Sequence, residues 1–341
     1  MTKVALSVTL ALSASLAIGS QADTSKPSQF PGAHWKVESA QQHGLSADRL
    51  REAAEAVEKV EERYGFLVVK DGVIVYETYF SGDKDAIYPA FSVAKGFGAA
   101  LIGIAQTKGL LNVTDKIQDW LPIHHPDIVE GATIEHVISM TAGHEPPGST
   151  YQYTSGPILN SLPNILWLAS GMSPYDFYKK ELATPLGLKL EWPHLDKGWI
   201  QIGTQRVQGL PPLPSNHRDL ARLGLLWLNK GNWNGTRIIS EEFIAASIRP
   251  PFPDANNAYG YLWWLNTDGG VWRSPYGNSA EGKIIPRAPA NMYYAAGARS
   301  QLIYVVPDHN LVVVTMGNTI NREINPTAVI WDAIARFLLE D

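Results

Sequence analysis

The chain has 341 residues, of which 45% are hydrophobic and 18% charged, and its formal net charge at pH 7 is −5. This composition is ordinary for a globular protein, and the absence of any basic run argues against nucleic acid as a partner. The sequence contains no cysteine. Disulfides, thiolate metal sites and cysteine nucleophiles are therefore excluded, and the composition suits a compartment in which a free thiol would be oxidised.

The first 22 residues have the pattern of a signal peptide. A short basic start at Met1–Lys3 precedes an apolar stretch, and Ser20 and Ala22 supply the small residues that a signal peptidase reads. An apolar stretch of about 15 residues is short for a membrane anchor, because a span needs roughly 20. We therefore predict cleavage before Asp23, a mature domain of residues 23–341 without a membrane span, and a periplasmic or secreted location.

Two local patterns near the start of the mature chain predict a helix and a hairpin. Ser46 can cap a helix whose apolar face consists of Leu50, Ala53, Ala54, Val57 and Val60. The pair Asp71-Gly72 then separates two runs rich in β-branched residues, 66–70 and 73–79. Such a pair favours a tight hairpin, because both turn residues must take positive φ.

The far end of the chain has the same character. Apolar runs at 292–294, 301–306 and 311–316 predict strands, with a turn at 307–310 between the last two. A final helix fits residues 326–339. Strands are therefore expected at both ends of the mature chain.

Residues 95–228 are mostly helical in pattern, with loops rich in proline and glycine at 145–148 and 209–214. We therefore predict an α/β (α+β) fold, in which both chain ends build one antiparallel sheet flanked by terminal helices, and a mostly helical inserted domain caps it. The α/β part is placed at about 40–95 and 240–341, and the helical part at about 96–239. A cleft between two such parts is a common binding site.

The pattern Ser-x-x-Lys occurs twice, at Ser81–Lys84 and at Ser92–Lys95. On a helix this spacing puts both side chains on one face, so the lysine amine can reach the serine hydroxyl. The first pair lies among glycine and aspartate just past a strand, which predicts a surface loop with a solvated, protonated lysine. We therefore assign no catalytic role to Ser81 and Lys84.

Ser92 is placed differently. Pro89 disfavours helix just before it, and residues 91–107 then have a helical pattern that Gly109 can end. Ser92 would lie in the first turn, where free N–H groups and the helix dipole favour a developing negative charge. On this stretch alone, a simple N-cap at Ser92 is an equally good interpretation.

Lys95 follows one turn later, among small and apolar residues and with no acid nearby in sequence. Burial there would lower the pKa of its amine toward the strength of a useful base. Glycines in a helix cost stability and fit a helix that is packed closely on its sides, as for Gly96, Gly98 and Gly103. The alternative is that Lys95 is a surface residue.

Two further segments could complete a site for acyl transfer. Tyr153 begins a segment after a loop rich in glycine and proline, which can project a phenol into a cleft, and Tyr151 is an alternative to it. Residues 295–298 are small and precede the penultimate strand, so they leave room for a substrate. A backbone N–H there can pair with that of Ser92 as an oxyanion hole.

Three motifs, taken in order, resemble those of the serine β-lactamase/penicillin-recognising superfamily: Phe91-Ser92-Val93-Ala94-Lys95, Tyr153-Thr154-Ser155 and Ala295-Ala296-Gly297. More narrowly, the chain is similar to the class C-like branch that holds family VIII carboxylesterases and 6-aminohexanoate-dimer hydrolases. Supporting stretches at 133–143, 185–188, 218–224 and 259–264 extend the resemblance over residues 65–318.

The resemblance implies a role for each motif. Ser92 would attack a carbonyl carbon and form an acyl-enzyme, with Lys95 as its base. Tyr153 would lie within hydrogen-bond reach of both and pass the proton to the leaving group. The backbone N–H groups of Ser92 and Ala298 would bind the oxyanion, with Gly297 and Ser155 beside the substrate. No metal or cofactor is implied.

Departures from the family pattern bear on the substrate. Class C β-lactamases have Tyr-x-Asn where this chain has Tyr153-x-Ser155, and Lys-Thr-Gly where it has Ala295-Ala296-Gly297. A carboxamide and a cation are therefore missing, and the short loop 141–153 points to an open cleft. We expect a small-molecule substrate that is a neutral ester, or an amide without a carboxylate beside the scissile bond.

Two other functions are the alternatives. A D-Ala-D-Ala carboxypeptidase or β-lactamase is disfavoured by the missing cation at Ala295. A non-catalytic penicillin-recognising module is disfavoured because Ser92, Lys95 and Tyr153 are all present. An α/β-hydrolase would need Gly-x-Ser-x-Gly, which this sequence lacks.

The remaining polar and aromatic residues give weaker indications. The densest histidine group, His124-His125, lacks the spacing of metal-binding helices, so we predict no metal, and His136 and His144 are expected to be structural. Arg299 and Gln301 could contact a substrate or pair with neighbouring strands. The eleven tryptophans fit a large core, and an aromatic-lined cleft is the alternative.

Overall fold

The computed structural model describes residues 29–121, 126–154, 158–191, 213–275, 277–319 and 326–338. The predicted signal peptide, residues 1–22, lies outside the described residues. The strands of the described residues are β1 (Arg63–Lys70), β2 (Val73–Tyr79), β3 (Tyr88–Pro89), β4 (Pro214–Ser215), β5 (Asn232–Trp233), β6 (Thr236–Arg237), β7 (Trp264–Leu265), β8 (Val271–Arg273), β9 (Ser279–Glu281), β10 (Tyr293–Gly297), β11 (Gln301–Val306) and β12 (Leu311–Gly317).

The α-helices are α1 (Ala47–Glu58), α2 (Ala94–Thr107), α3 (Ile117–Trp120), α4 (Ile134–Ile138), α5 (Ser161–Ser170), α6 (Pro174–Tyr178), α7 (Thr184–Leu186), α8 (His217–Leu228), α9 (Glu241–Ser247) and α10 (Pro326–Leu338). Short 3₁₀ turns cover Ala40–His43, Phe91–Val93 and Pro307–His309, and a π turn covers Lys179–Ala183. No helix in the described ranges is long and apolar enough to cross a membrane.

The main sheet has six strands in the order β2-β1-β12-β11-β10-β7, and its neighbours pair antiparallel. β1 pairs with β12 along its whole length, so strands from the two ends of the chain are neighbours at the centre of the sheet. The predicted sheet built from both chain ends is confirmed. Small two-stranded hairpins and the edge strand β7 are additions that the sequence patterns did not predict.

Helices cover both faces of this sheet. On β11, the side chain of Ile303 meets Gly224 of α8, whereas the ring of Tyr304 packs on Trp331 of α10 at 5.5 Å. Successive side chains of a strand point to opposite faces, so α8 and α10 lie on opposite sides. α1 packs beside α10, as predicted for the terminal helices. α8 lies within residues 96–239, the stretch predicted as the helical part. The boundaries between this helical part and the α/β part stay a prediction.

The local signals near residue 50 and residue 71 are confirmed. The Ser46 hydroxyl accepts a hydrogen bond from the Arg49 N–H at 3.3 Å and caps α1, whose buried face is Leu50, Ala53, Ala54 and Val57; Val60, also predicted on this face, lies past the end of the helix. The β1–β2 hairpin turns at Asp71 and Gly72, with φ of 54° and 83°. Both values lie in the left-handed region that this turn type needs.

The helix predicted over residues 91–107 has two parts. A 3₁₀ turn at Phe91–Val93 leads into α2, and Gly109, with φ of 68°, follows the end of the helix as predicted. A Cβ added at Gly103 would lie 2.7 Å from the Phe243 ring, which explains that glycine by close packing. At Gly98 the nearest atom would be 3.8 Å away, so close packing does not account for it.

One strand boundary differs from the prediction. The apolar run at 292–294 was predicted as a strand, and residues 295–297 extend it, so that β10 ends at Gly297 just before the penultimate strand β11. Residues 295–297 pair with β11 down to Gly297 opposite Gln301, and the chain reverses over Ala298–Ser300. Arg299 and Ser300 both take left-handed φ, 62° and 64°. Small side chains gave no strand signal, and pairing with β11 decides their conformation.

Candidate active site

Ser92 and Lys95 lie where the start of α2 meets the end of β10. Ser92 is half-buried in the 3₁₀ turn, and Lys95 is in the first turn of α2. The Nζ atom of Lys95 donates a hydrogen bond to the Oγ atom of Ser92 at 2.8 Å. The structure therefore brings together the two side chains that the Ser-x-x-Lys spacing predicts.

The environment of the Lys95 amine is apolar. Lys95 is only 4% exposed, and no carboxylate pairs with it among the residues that the structure describes. Burial disfavours the charged form and lowers the pKa of Lys95 to about 8. A substantial fraction of the amine is therefore neutral near pH 8, as a general base requires.

The first Ser-x-x-Lys pair has the opposite environment. Lys84 forms an ion pair with Asp85 at 2.7 Å, and both side chains are about half exposed. The hydrogen bond that Lys84 donates to the Asp85 carboxylate raises the pKa of Lys84 above its ordinary value. Lys84 is therefore a solvated cation, as the loop pattern predicted.

The residue before Ser92 has an unusual backbone. Phe91 takes φ of 48°, a left-handed conformation that is rare for a bulky side chain. The residue before it is anchored, because the Ala90 N–H donates to the carbonyl of Leu213 at 2.9 Å. Strain of this kind clusters at functional sites. No local sequence pattern predicted the left-handed conformation of Phe91.

Gly297 brings the end of β10 against the backbone of the Ser92 turn. A Cβ added at Gly297 would lie 2.4 Å from the Ala90 carbonyl oxygen and 3.2 Å from the Ser92 nitrogen. Only glycine permits this approach. Within the described chain, no turn, cap or strand hydrogen bond uses the N–H groups of Ser92 and Ala298. Two backbone N–H groups that point to one place beside a serine hydroxyl can stabilise an oxyanion, which is the role predicted for these two.

Tyr153 lies on the other side of the lysine. The Lys95 Nζ is 4.7 Å from the centroid of the Tyr153 ring, which stacks on Trp264 at 5.9 Å. Tyr151, the alternative phenol, is 8% exposed and packs on Tyr259 at 5.3 Å. Burial raises the pKa of Tyr151 well above its ordinary value. The contact with Lys95 is therefore made by Tyr153.

The predicted substrate residue Ser155 lies outside the described residues. Trp264 was missed as a site residue, although its stretch was singled out in the sequence. It stacks on Tyr153 and meets Tyr259 edge-on at 4.8 Å, which forms an aromatic wall beside Lys95. The abundance of tryptophan was the only signal for such a wall.

Arg299 and Gln301, for which the sequence allowed either a substrate contact or pairing with neighbouring strands, have different surroundings. Gln301 is 1% exposed, and its side chain bonds only backbone groups in the described chain, so it pairs with neighbouring strands. Arg299 is exposed, donates to the Asn318 side chain at 2.7 Å, and holds its guanidinium 5.6 Å from the Phe91 ring. Ala295 is 2% exposed and brings no charge to the cleft.

The two histidines that were expected to be structural have local partners. His136 completes the cap of α4 through Thr133, with its Nδ1 atom 2.7 Å from the threonine hydroxyl, and His144 Nε2 lies 3.1 Å from the Gln152 side chain. His124 and His125 lie outside the described residues. No group of three or more histidine, aspartate or glutamate residues suited to a metal occurs in the described ranges.

Comparison with known proteins bears on the family and the fold of the chain. The profile of the Beta-lactamase family matches residues 53–329. No curated protein sequence is similar enough to count as a match. A protein of Bacillus anthracis named as a 6-aminohexanoate-dimer hydrolase superposes with a TM-score of 0.66 at 18% identity, over 92% of this chain and 88% of that one.

Two further solved structures share the fold. The hydrolase EstCE1, which has promiscuous acyltransferase activity, superposes with a TM-score of 0.64 at 14% identity, over 85% of this chain and 98% of its own. A class C beta-lactamase from Rhodobacter sphaeroides superposes with a TM-score of 0.61 at 17% identity, over 86% of this chain and all of its own. The predicted β-lactamase/transpeptidase-like fold is confirmed.

Proposed function

The chain belongs to the beta-lactamase family, and from this premise we propose that it is a serine hydrolase that cleaves carboxylic esters or linear amides through an acyl-enzyme on Ser92. The observation that carries the proposal is the 2.8 Å hydrogen bond between Lys95 Nζ and Ser92 Oγ at a buried amine. A nucleophile within hydrogen-bond reach of a base with a tuned pKa is the signature of covalent catalysis.

Acylation begins with the neutral form of Lys95. Its Nζ lone pair accepts the hydroxyl proton of Ser92 while Oγ forms a bond to the substrate carbonyl carbon. The carbonyl π electrons move to oxygen, and the N–H groups of Ser92 and Ala298 donate to the resulting oxyanion. Because both donors belong to the backbone of packed elements, they need no reorganisation when the charge appears.

Breakdown of the tetrahedral intermediate needs a proton at the leaving group. Tyr153 contacts Lys95 through its ring, and its phenol is the group that we assign to pass the proton from the ammonium to the leaving oxygen or nitrogen. The bond to the leaving group then breaks and the acyl-enzyme remains. Water attacks this ester, and the same groups move the protons in the reverse sense.

The charge of the cleft supports a neutral substrate. Ala295 is a buried methyl group where class C β-lactamases carry a lysine. Beside Lys95 lies instead the half-buried Tyr153 ring, backed by the buried rings of Trp264 and Tyr259, and an aromatic surface of this kind suits an apolar acyl or alcohol group. We therefore place simple esters first, and amides without an adjacent carboxylate second.

The direct test is hydrolysis of p-nitrophenyl butyrate by the wild-type protein, with Ser92→Ala and Ser81→Ala as the matched pair. We expect turnover in wild type and Ser81→Ala, none in Ser92→Ala, and a butyryl adduct on Ser92 in the intact mass of a quenched reaction. Nitrocefin is assayed beside it. Strong nitrocefin hydrolysis without ester turnover would replace this proposal with a β-lactamase, and ester turnover by Ser92→Ala would move the site elsewhere.

A further inference from the structure

A buried arginine lies at the same end of the sheet as Ser92. Arg63, at the start of β1, is 4% exposed and pairs with Gly317 of β12. Its Nη2 atom donates to the Ser300 carbonyl at 2.7 Å and to the Thr315 hydroxyl at 3.0 Å. Its Nη1 atom donates to the Thr319 hydroxyl at 3.3 Å.

The hydrogen-bond partners of this guanidinium among the described residues are all neutral. No carboxylate pairs with Arg63 in the part of the chain that the structure describes. Burial lowers the pKa of Arg63 to about 10, so the side chain still carries its charge at neutral pH. A buried charge without a counterion is costly for folding, and a neutral side chain would fill the same space more cheaply. A role other than stability is therefore expected.

Ser300, which Arg63 contacts, is hydrogen-bonded to the peptide group that carries the Ala298 N–H. The Ser300 N–H donates to the Gly297 carbonyl at 3.1 Å, which fixes the plane of the peptide group between Gly297 and Ala298. In a trans peptide the C=O and N–H bonds point in opposite directions. Holding the Gly297 carbonyl toward the turn therefore directs the Ala298 N–H away from the turn.

Gln301 supports the same turn from within the sheet. Its Nε2 group donates to the carbonyls of Ala298 and Arg299 at 3.2 and 3.1 Å. Its Oε1 atom accepts from the Gly317 N–H at 3.1 Å. Gly317 also makes room for the arginine, since a Cβ there would lie 2.6 Å from Arg63 Nη1. The two buried side chains thus hold every carbonyl of the Ala298–Ser300 turn.

We propose that Arg63 and Gln301 are positioning residues that fix the Ala298 N–H in the oxyanion hole, and that the charge of Arg63, which no carboxylate of the described residues pairs with, adds positive potential where the oxyanion forms. This inference rests on the proposed function, because it requires acyl transfer at Ser92. Neither side chain contacts the reacting atoms. They act through the turn of residues 298–300, and their effect appears in the transition state, where the carbonyl oxygen becomes negative.

The test compares Arg63→Gln, Arg63→Lys and Gln301→Met with Thr315→Val as the matched control. Thr315→Val removes one bond from the same guanidinium but leaves its bond to Ser300. Loss of a whole oxyanion donor lowers kcat by about 100- to 1,000-fold, so a misplaced donor should lower it by about 10- to 100-fold. We expect this loss of kcat for Arg63→Gln and Gln301→Met in p-nitrophenyl butyrate hydrolysis, with KM changed less than about threefold.

The other two variants separate positioning from stability. Arg63→Lys keeps the cation and should restore kcat to within about tenfold of wild type. Thr315→Val should lose thermal stability but keep kcat within about threefold. Wild-type kcat in Arg63→Gln, or equal losses in Arg63→Gln and Thr315→Val, would overturn the inference. If Arg63→Gln does not fold, wild-type kcat in Gln301→Met overturns it instead.

Failure of the proposed function gives a different result. If Ser92→Ala retains turnover, or wild type forms no acyl adduct, the proposed function and this inference both fall. If Ser92→Ala is inactive and the Arg63 and Gln301 variants keep wild-type kcat, only this inference falls.

Discussion

The amine of Lys95 and the hydroxyl of Ser92 lie 2.8 Å apart, one helical turn from each other, with no carboxylate beside the amine in the described chain. Desolvation alone therefore sets the base strength of this lysine. The same burial that makes the amine useful as a base makes its charged form unfavourable. Both consequences can be measured.

The pH dependence of kcat/KM should report the free amine. Because the neutral form of Lys95 accepts the Ser92 proton, kcat/KM should rise tenfold per pH unit on the acid side and level off above an apparent pKa of about 8. Initial rates with p-nitrophenyl butyrate from pH 5.5 to 9.5 measure it, with Lys84→Ala as the control that should give the same curve. A flat profile between pH 6 and 9 would contradict the role of Lys95.

Replacing the lysine by methionine should remove activity and increase stability. The pKa of Lys95 is lowered in the folded protein from 10.5 to about 8, so at pH 7 folding buries a charge that the unfolded chain keeps in water. A shift of this size corresponds to about 3 kcal/mol, partly offset by the lost bond to Ser92, so Lys95→Met should gain about 1–3 kcal/mol.

The gain has a defined pH window. It should be full below pH 8, shrink as pH rises from 8 to 10.5, and disappear above, because the lysine is then neutral in both states. Urea unfolding at pH 7 and pH 9.5 measures both values. Lys95→Met that is less stable than wild type at pH 7 would show that the amine is not desolvated in this way.

The close approach of β10 to the Ser92 turn makes a second pair of variants informative. Gly297→Ala puts a Cβ 2.4 Å from the Ala90 carbonyl oxygen, a backbone atom that cannot move aside cheaply. We expect a loss of about 1–3 kcal/mol of stability from overpacking, together with a fall of about 100-fold in kcat/KM as the oxyanion donors separate.

Gly98→Ala is its control in α2. The nearest atom to the new Cβ would be 3.8 Å away, so alanine adds helix propensity without a clash. Stability should rise by about 0.5–1 kcal/mol with unchanged activity. Thermal unfolding and ester hydrolysis of both variants give the comparison. Wild-type activity in Gly297→Ala would mean that this strand is not part of the site.

The two neighbouring tyrosines should differ in their effect on turnover. Tyr153→Phe keeps a ring that stacks on Trp264 and faces Lys95, but it removes the hydroxyl, so kcat should fall by about 100- to 1,000-fold. Tyr151→Phe should keep kcat within a few-fold, since the Tyr151 ring is buried against Tyr259 and the ring that contacts Lys95 is that of Tyr153. The two kcat values decide between the phenols, and the reverse order would assign the role to Tyr151.

The parts of this molecule that the sequence predicted are those set by neighbours along the chain. The Ser46 cap, the Asp71-Gly72 turn and the shared helix face of Ser92 and Lys95 each depend on contacts within a few residues. The burial of Lys95 was predictable for the same reason, from the small and apolar residues that follow it.

The parts that could not be predicted depend on contacts between distant segments. Gly297 against the Ser92 backbone, and Arg63 against the Ser300 carbonyl, join residues that are far apart in sequence, and residue spacing carries no information about such pairs. The left-handed φ of Phe91 has the same origin, because a bulky residue adopts it only when surrounding structure imposes it.

The pairing of β1 with β12 also determines when the protein can become active during its synthesis. A ribosome completes Ser92 and Lys95 well before the turn that carries Ala298 and the β12 residues that pair with β1. Until then the β1–β2 hairpin is an isolated two-stranded unit, which is marginal in water. In the mechanism that we propose, a chain terminated before residue 297 contains Ser92 and Lys95 but lacks the Ala298 N–H, so premature termination products should have no activity.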